Sequence, residues 1–195
     1  MLSKNRNKFE SLSVCVGKAF GKLGISPNIW TLMSLVLIII ASWLLVQTQF
    51  ILAGVIFLVS GFLDMVDGSV ARATGKVSKK GAYLDTITDR YVEGIVLFSL
   101  LFVSLPMLYV PMYVWIFVYF FGSLMTTYSK AAAKEKEIVS KELKGGLLER
   151  AERLLILFVG ILLASLNPLW LSYIIVALAV LSNLTALQRI KSVLV

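Results

Sequence analysis

Four carboxylates stand in two pairs at the border between two apolar stretches: Asp64 with Asp67, and Asp85 with Asp89. Spacings of three and four put each pair on one face of a helix. A short turn between two antiparallel helices would bring those faces together. Carboxylates that close repel one another unless cations neutralise them. Oxygen donors select Mg²⁺, Mn²⁺ or Ca²⁺ over zinc or copper. Two ions held by four acids can clamp the attacking and leaving oxygens of a phosphoryl displacement. The chemistry these residues point to is metal-assisted activation of a nucleotide-linked phosphate.

The residues around the acids suit a phosphate-bearing ligand. Gly68 and Ala71 leave a helix surface bare, so a bulky group can approach the backbone. Arg72 supplies a planar fork for a diphosphate oxygen. Thr74, Gly75 and Ser78 offer backbone or hydroxyl donors in the following turn, and Gly81 gives a second close approach.

Composition sets where such a site can sit. Of 195 residues, 58% are hydrophobic and 15% charged, which points to a polytopic membrane protein of the all-α class. There is no histidine and a single cysteine, Cys15. Ser-His-Asp catalysis, His-zinc sites, thiolate clusters and intrachain disulfides are therefore excluded. Acid–base work falls to carboxylates or to an unusual Lys, Tyr or Cys. The net charge of +8 suggests an anionic partner, here membrane lipid and phosphorylated substrates, with no nucleic acid expected.

Charged residues fall into four clusters: Lys4–Lys22, Asp64–Glu93, Lys130–Arg153 and Arg189–Lys191. Between them run three charge-free stretches, Leu23–Leu63, Gly94–Ser129 and Leu154–Gln188. Each is long enough for two spans of about 20 residues and a tight turn. Turn signals fall near their middles, at Gln47–Gln49, Pro106–Pro111 and Asn167-Pro168. The expectation is six transmembrane helices in three hairpins. All 19 Lys and Arg then share one side, which is cytoplasmic, as are both termini. Localisation in the cell membrane follows.

Met1–Leu23 reads as an interfacial amphipathic helix, with Phe9, Leu12, Val16, Phe20 and Leu23 recurring at steps of three and four. It lacks the leading apolar core of a signal peptide. The division is thus 1–23 as a juxtamembrane helix and 24–195 as the membrane domain. Gly24 breaks the first helix, and Ser26-Pro27 restarts the chain as N-cap and first helical position. The spans are expected near 28–46, 51–72, 82–105, 108–131, 147–166 and 169–189. Ala73–Lys80 is a basic turn and Lys134–Gly146 a solvated connection. Asn28 and Thr31, in the first turn of the first span, either satisfy free backbone groups or help hold a phosphate.

The aspartate stretch resembles the CDP-alcohol phosphotransferase signature: DxxDGxxAR, eight residues, GxxxD, three residues, D. Here it reads Asp64, Asp67-Gly68, Ala71-Arg72, Gly81, Asp85 and Asp89, with every fixed position filled. The resemblance implies that Asp64, Asp67 and Asp85 are metal ligands. Asp89 would be the base that deprotonates the acceptor hydroxyl. It also implies that Gly68, Ala71, Arg72 and Gly81 contact the CDP portion, and that the protein is a homodimer. An ion-coupled transporter would also keep acids among apolar helices. It should show acids nearer midplane and broken helices in two similar halves, and this chain shows neither.

The acceptor should be read by cations at the cytoplasmic ends of the last three spans. Lys130, Arg150, Arg153 and Arg189 can form a pocket for a phosphorylated alcohol. Arg153 can instead pair with Glu149, one turn back. The stretches YSKAAA, GGLLERAERLLI and LQRI resemble the phosphatidylinositol-phosphate and archaetidylinositol-phosphate synthase branch. That branch implies inositol 1-phosphate as acceptor, CDP-diacylglycerol or CDP-archaeol as donor, CMP as product and two Mg²⁺ or Mn²⁺ per site. Ala132 departs from the branch, where an Arg often stands, and leaves glycerol 3-phosphate open as acceptor.

Overall fold

The computed structural model describes residues 6–138 and 146–194, with side chains from Ser13 onward. Among these, seven helices form and no strand: α1 (Arg6–Gly21), α2 (Pro27–Val46), α3 (Phe50–Ala73), α4 (Lys79–Leu100), α5 (Met112–Glu135), α6 (Arg150–Ala164) and α7 (Pro168–Leu194). Phe9 and Leu12 of the expected apolar face, and most of the Lys134–Gly146 connection, lie outside the described residues or side chains. The helices group into two compact units, Met1–Ser42 with Val55–Val96, and Trp43–Gly54 with Leu97–Val195.

Local chemistry explains where helices begin and end. Pro27 opens α2, where its missing N–H costs nothing, and Ile29 N–H donates to the Ser26 carbonyl (3.0 Å). The sequence places the third span to Leu105, but α4 stops at Leu100. There Leu101, Phe102 and Val103 tighten into i−3 hydrogen bonds ahead of Pro106. The fourth span, expected to end at Ala131, continues as α5 to Glu135 because Ala131–Glu135 are all strong helix formers. The fifth, expected from Leu147, begins only at Arg150. Its start is fixed by a capping box in which Glu152 accepts the Glu149 backbone N–H at 3.0 Å. α2, α3 and α7 are each long and apolar enough to cross a membrane.

In the first unit α1 lies directly on the other helices. Val16 and Phe20 pack against a core of Trp30, Leu63, Val66 and Val70. Phe20 meets Trp30 edge-on, with ring centroids 5.4 Å apart. Leu23, by contrast, is exposed. α1 approaches α3 closely at Gly17, where a Cβ would run into the Ser69 carbonyl oxygen and lie 2.9 Å from Ala73 Cβ. A backbone oxygen cannot yield as a side chain can. Gly17→Ala is therefore expected to lower the thermal midpoint in detergent. Overpacking at the top of the usual range, about 3 kcal/mol, exceeds the roughly 1 kcal/mol that alanine gains in a helix. An unchanged or higher midpoint would show that α1 does not dock this way.

In the second unit α6 and α7 close on each other at Gly160, whose Cβ position lies 3.1 Å from Leu171 and 3.0 Å from Ile174. α5 meets α7 at Gly122. There Asn183 fills the space a side chain would need and donates to the Val118 carbonyl at 2.9 Å.

Candidate active site and metal centre

The acids of the site in the first unit are placed by helical spacing. Asp64, Asp67, Gly68, Ala71 and Arg72 recur along one face of α3. Gly75 ends the helix in the left-handed conformation (φ 66°), and Lys76 N–H closes back on the Ala71 carbonyl at 2.9 Å. This is the hydrogen bond of a Schellman stop, and it needs a residue that tolerates positive φ. Ser78 then caps α4, its hydroxyl oxygen accepting the Gly81 N–H at 3.0 Å. On α4, Asp85 and Asp89 follow one turn apart.

The two helices bring Asp64, Asp67 and Asp85 together. One carboxylate oxygen from each lies within 4.8 Å of the other two. Asp67 is the innermost at 5% exposure, and Thr31 of α2 donates its hydroxyl proton to Asp67 Oδ2 at 2.6 Å. That bond restrains the carboxylate's rotamer. Three convergent hard-oxygen donors fit a hard divalent cation, and their mutual repulsion gives it a favourable potential. Asp89 stands outside this three-acid group. Arg90 lies beside it, Nη2 to Oδ2 3.8 Å, and is itself held by Glu93 at 3.0 Å. Glu93 is 2% exposed, so the ion pair is anchored inside the unit.

Beside the acids opens a cavity of about 290 Å³. Its walls include Asn28, Thr31, Asp67, Gly68, Ala71, Arg72, Ser78, Gly81 and Asp85, all singled out from sequence. The bare surface at Gly68 is used at once. A Cβ there would lie 3.2 Å from Arg72 Nη1, so the guanidinium folds over the glycine. Gly81 likewise leaves room for Asn28, whose Oδ1 lies 3.7 Å from its Cβ position. Thr74 is not among the lining residues; its hydroxyl donates to the Val70 carbonyl at 2.8 Å and serves the end of α3. Lys76 and Val77 line the cavity, and the sequence reading passed over both. Lys76 could have been found as the first cation after the glycine stop.

The cations expected from the sequence to read the acceptor lie in the second unit. Arg153 is 1% exposed, and its Nη2 donates to Ser123 Oγ of α5 at 3.0 Å. Arg189 donates from Nη1 to the Thr126 carbonyl at 2.6 Å, one turn further along the same helix. α5 thus gathers Arg153 and Arg189 on successive turns, and Lys130 follows one turn beyond. Arg150, one turn before Arg153 on α6, is half-buried. Arg153 Nη1 also reaches the Leu148 carbonyl at 3.5 Å, and its bond to Ser123, thirty positions earlier, is one that no local spacing would reveal.

Comparison with known proteins agrees with this geometry. The model of the CDP-alcohol phosphatidyltransferase family matches residues 24–185. The archaetidylinositol phosphate synthase of Pyrococcus horikoshii is 37% identical over 190 residues, covering 97% of this chain and 95% of that one. The crystal structure of Mycobacterium tuberculosis phosphatidylinositol phosphate synthase with CDP-DAG bound is similar at a TM-score of 0.81 and 25% identity, covering 94% of each chain. The same enzyme in complex with manganese and citrate matches at 0.81 and 26%, covering 93% of this chain and 88% of that one. The chain belongs to the CDP-alcohol phosphatidyltransferase family. It is a membrane-embedded transferase of phosphate-containing groups.

Proposed function

We propose that this protein transfers a phosphatidyl or archaetidyl group from CDP-diacylglycerol or CDP-archaeol to inositol 1-phosphate, releasing CMP. One observation carries the reading: three carboxylates on facing helices converge beside a cavity walled by Gly68, Ala71, Arg72 and Gly81. The names of its relatives support inositol phosphate as the acceptor.

In this reading Asp64, Asp67 and Asp85 hold divalent cations, Mg²⁺ or Mn²⁺, two per site with Asp89 as a further ligand. Bound there, such cations would neutralise charge on the diphosphate and on the departing phosphate oxygen. Arg72 and the turn after it bind the diphosphate, and Gly68 and Gly81 let the nucleotide lie against backbone. Asp89 accepts the proton of the acceptor hydroxyl. The hydroxyl oxygen then forms its bond to the lipid-bearing phosphorus as the bond to CMP breaks. Lys130, Arg150, Arg153 and Arg189 bind the acceptor's phosphate group. α2–α7 are the six spans, residues 1–23 form a juxtamembrane helix, and the site faces the cytoplasm of the cell membrane. Two copies form a homodimer.

The test is an assay in mixed micelles with labelled CDP-lipid, Mn²⁺ or Mg²⁺, and inositol 1-phosphate, free inositol or glycerol 3-phosphate in turn. CMP release and lipid-soluble label are expected with inositol 1-phosphate. Label appearing only with glycerol 3-phosphate would reassign the acceptor, and no release with any alcohol would end the enzymatic reading. Arg189→Ala is expected to raise the acceptor KM about tenfold, the value of one charge-assisted hydrogen bond, with the CDP-lipid KM within about twofold. Equal rises in both constants would count against the acceptor assignment.

A further inference from the structure

Arg72 is one of two cations, with Lys76, in the lining of the donor cavity, and its flexible stem must be aimed. The guanidinium Nη2 donates to Ser13 Oγ of α1 at 2.7 Å. Ser13 and Ser69 hydroxyls lie 2.9 Å apart, and Ser69 donates to the Met65 carbonyl at 2.8 Å. Since the Ser69 proton is committed to Met65, Ser13 must donate to Ser69, which leaves its lone pairs toward Arg72. The chain of bonds therefore runs one way, from guanidinium to Ser13 to Ser69 to backbone, with a longer direct contact from Arg72 Nη2 to Ser69 Oγ at 3.5 Å beside it. It exists because Ser13 and Gly17 share a face of α1, and Gly17 brings that face onto the Ser69 carbonyl.

We infer that Ser13 is a positioning residue for the donor site: it holds Arg72 over Gly68, turned into the cavity before any ligand arrives. The fork keeps its remaining N–H groups for a diphosphate, and less rotamer freedom is lost on binding. The N-terminal helix is then a working part of the CDP subsite as well as a tether. This rests on the functional reading above.

The test is a cycle read by direct titration of CDP-diacylglycerol in micelles, with steady-state kinetics alongside. Ser13→Ala is expected to weaken CDP-lipid binding and raise its KM about fivefold, while kcat and the acceptor KM move less than about twofold. Ser13→Thr, which keeps the hydroxyl, should restore affinity. In an Arg72→Ala background the Ser13→Ala change should cost nothing more. An equal loss in both backgrounds would show that Ser13 only packs α1, and an unchanged affinity in the single variant would overturn the inference outright. Wild-type protein that binds no CDP-lipid would sink the functional reading itself, and with it this one, before any Ser13 variant is compared.

Discussion

Asp67→Asn is expected to cut turnover by about 10³-fold or more with the fold intact, a loss of roughly 4 kcal/mol of transition-state stabilisation. The amide has the carboxylate's shape, and its oxygen can still accept the Thr31 hydroxyl bond now made at 2.6 Å. What is lost is one of three convergent charges. That gives a second readout, independent of activity. In chelator the variant should unfold at the same temperature as wild type or slightly above, because repulsion with Asp64 and Asp85 is relieved. On adding Mn²⁺ the wild type should gain several degrees and the variant little, since a ligand that binds only the folded state stabilises in proportion to its affinity. Equal gains for both would show that Asp67 holds no cation.

Asp89→Asn is the second large effect. A positioned general base contributes about 10²–10⁴-fold, so turnover should fall by about 10³. Its partner separates it from the three-acid group. Arg90 lies 3.8 Å from Asp89 and is pinned by the buried Glu93. The CDP-lipid KM should accordingly stay within about twofold, and most of the manganese-dependent gain in thermal midpoint should persist. Full turnover in Asp89→Asn would remove the proton-accepting role. Loss of the manganese response would instead make Asp89 chiefly a metal ligand.

The acid pattern was readable because it depends on spacing within helices and on one short turn. Asp64 and Asp67, Gly68, Ala71 and Arg72 must share a face of any helix, and Asp85 must share one with Asp89. The helices themselves were readable because charge stops where the spans begin. What was hidden is rotation. α2 is apolar on nearly every side, so no periodicity says which residue turns inward, and Thr31 gives no sign that it reaches an aspartate 36 positions later. Ser13 is likewise one small polar residue among several, and only docking at Gly17 aligns it with Arg72. Arg153 was legible as a cation at a helix start, able to bind a phosphate or pair with Glu149, but its burial and its bond to Ser123 of α5 were not. Helix boundaries slipped where caps outweighed hydropathy, as at Ser78 and Glu149.

Five residues, Thr74 to Ser78, join α3 to α4, and the stop at Gly75 and the cap at Ser78 leave just Lys76 and Val77 outside those two end motifs. A junction that tight has no slack to absorb an insertion. One extra residue before Asp85 would be taken up as helix, swinging its carboxylate by about 100° around the α4 axis and out of reach of Asp64 and Asp67. The distance along the chain between the two acid pairs is thus itself a dimension of the cation site, a gauge written in residue count rather than in side chains.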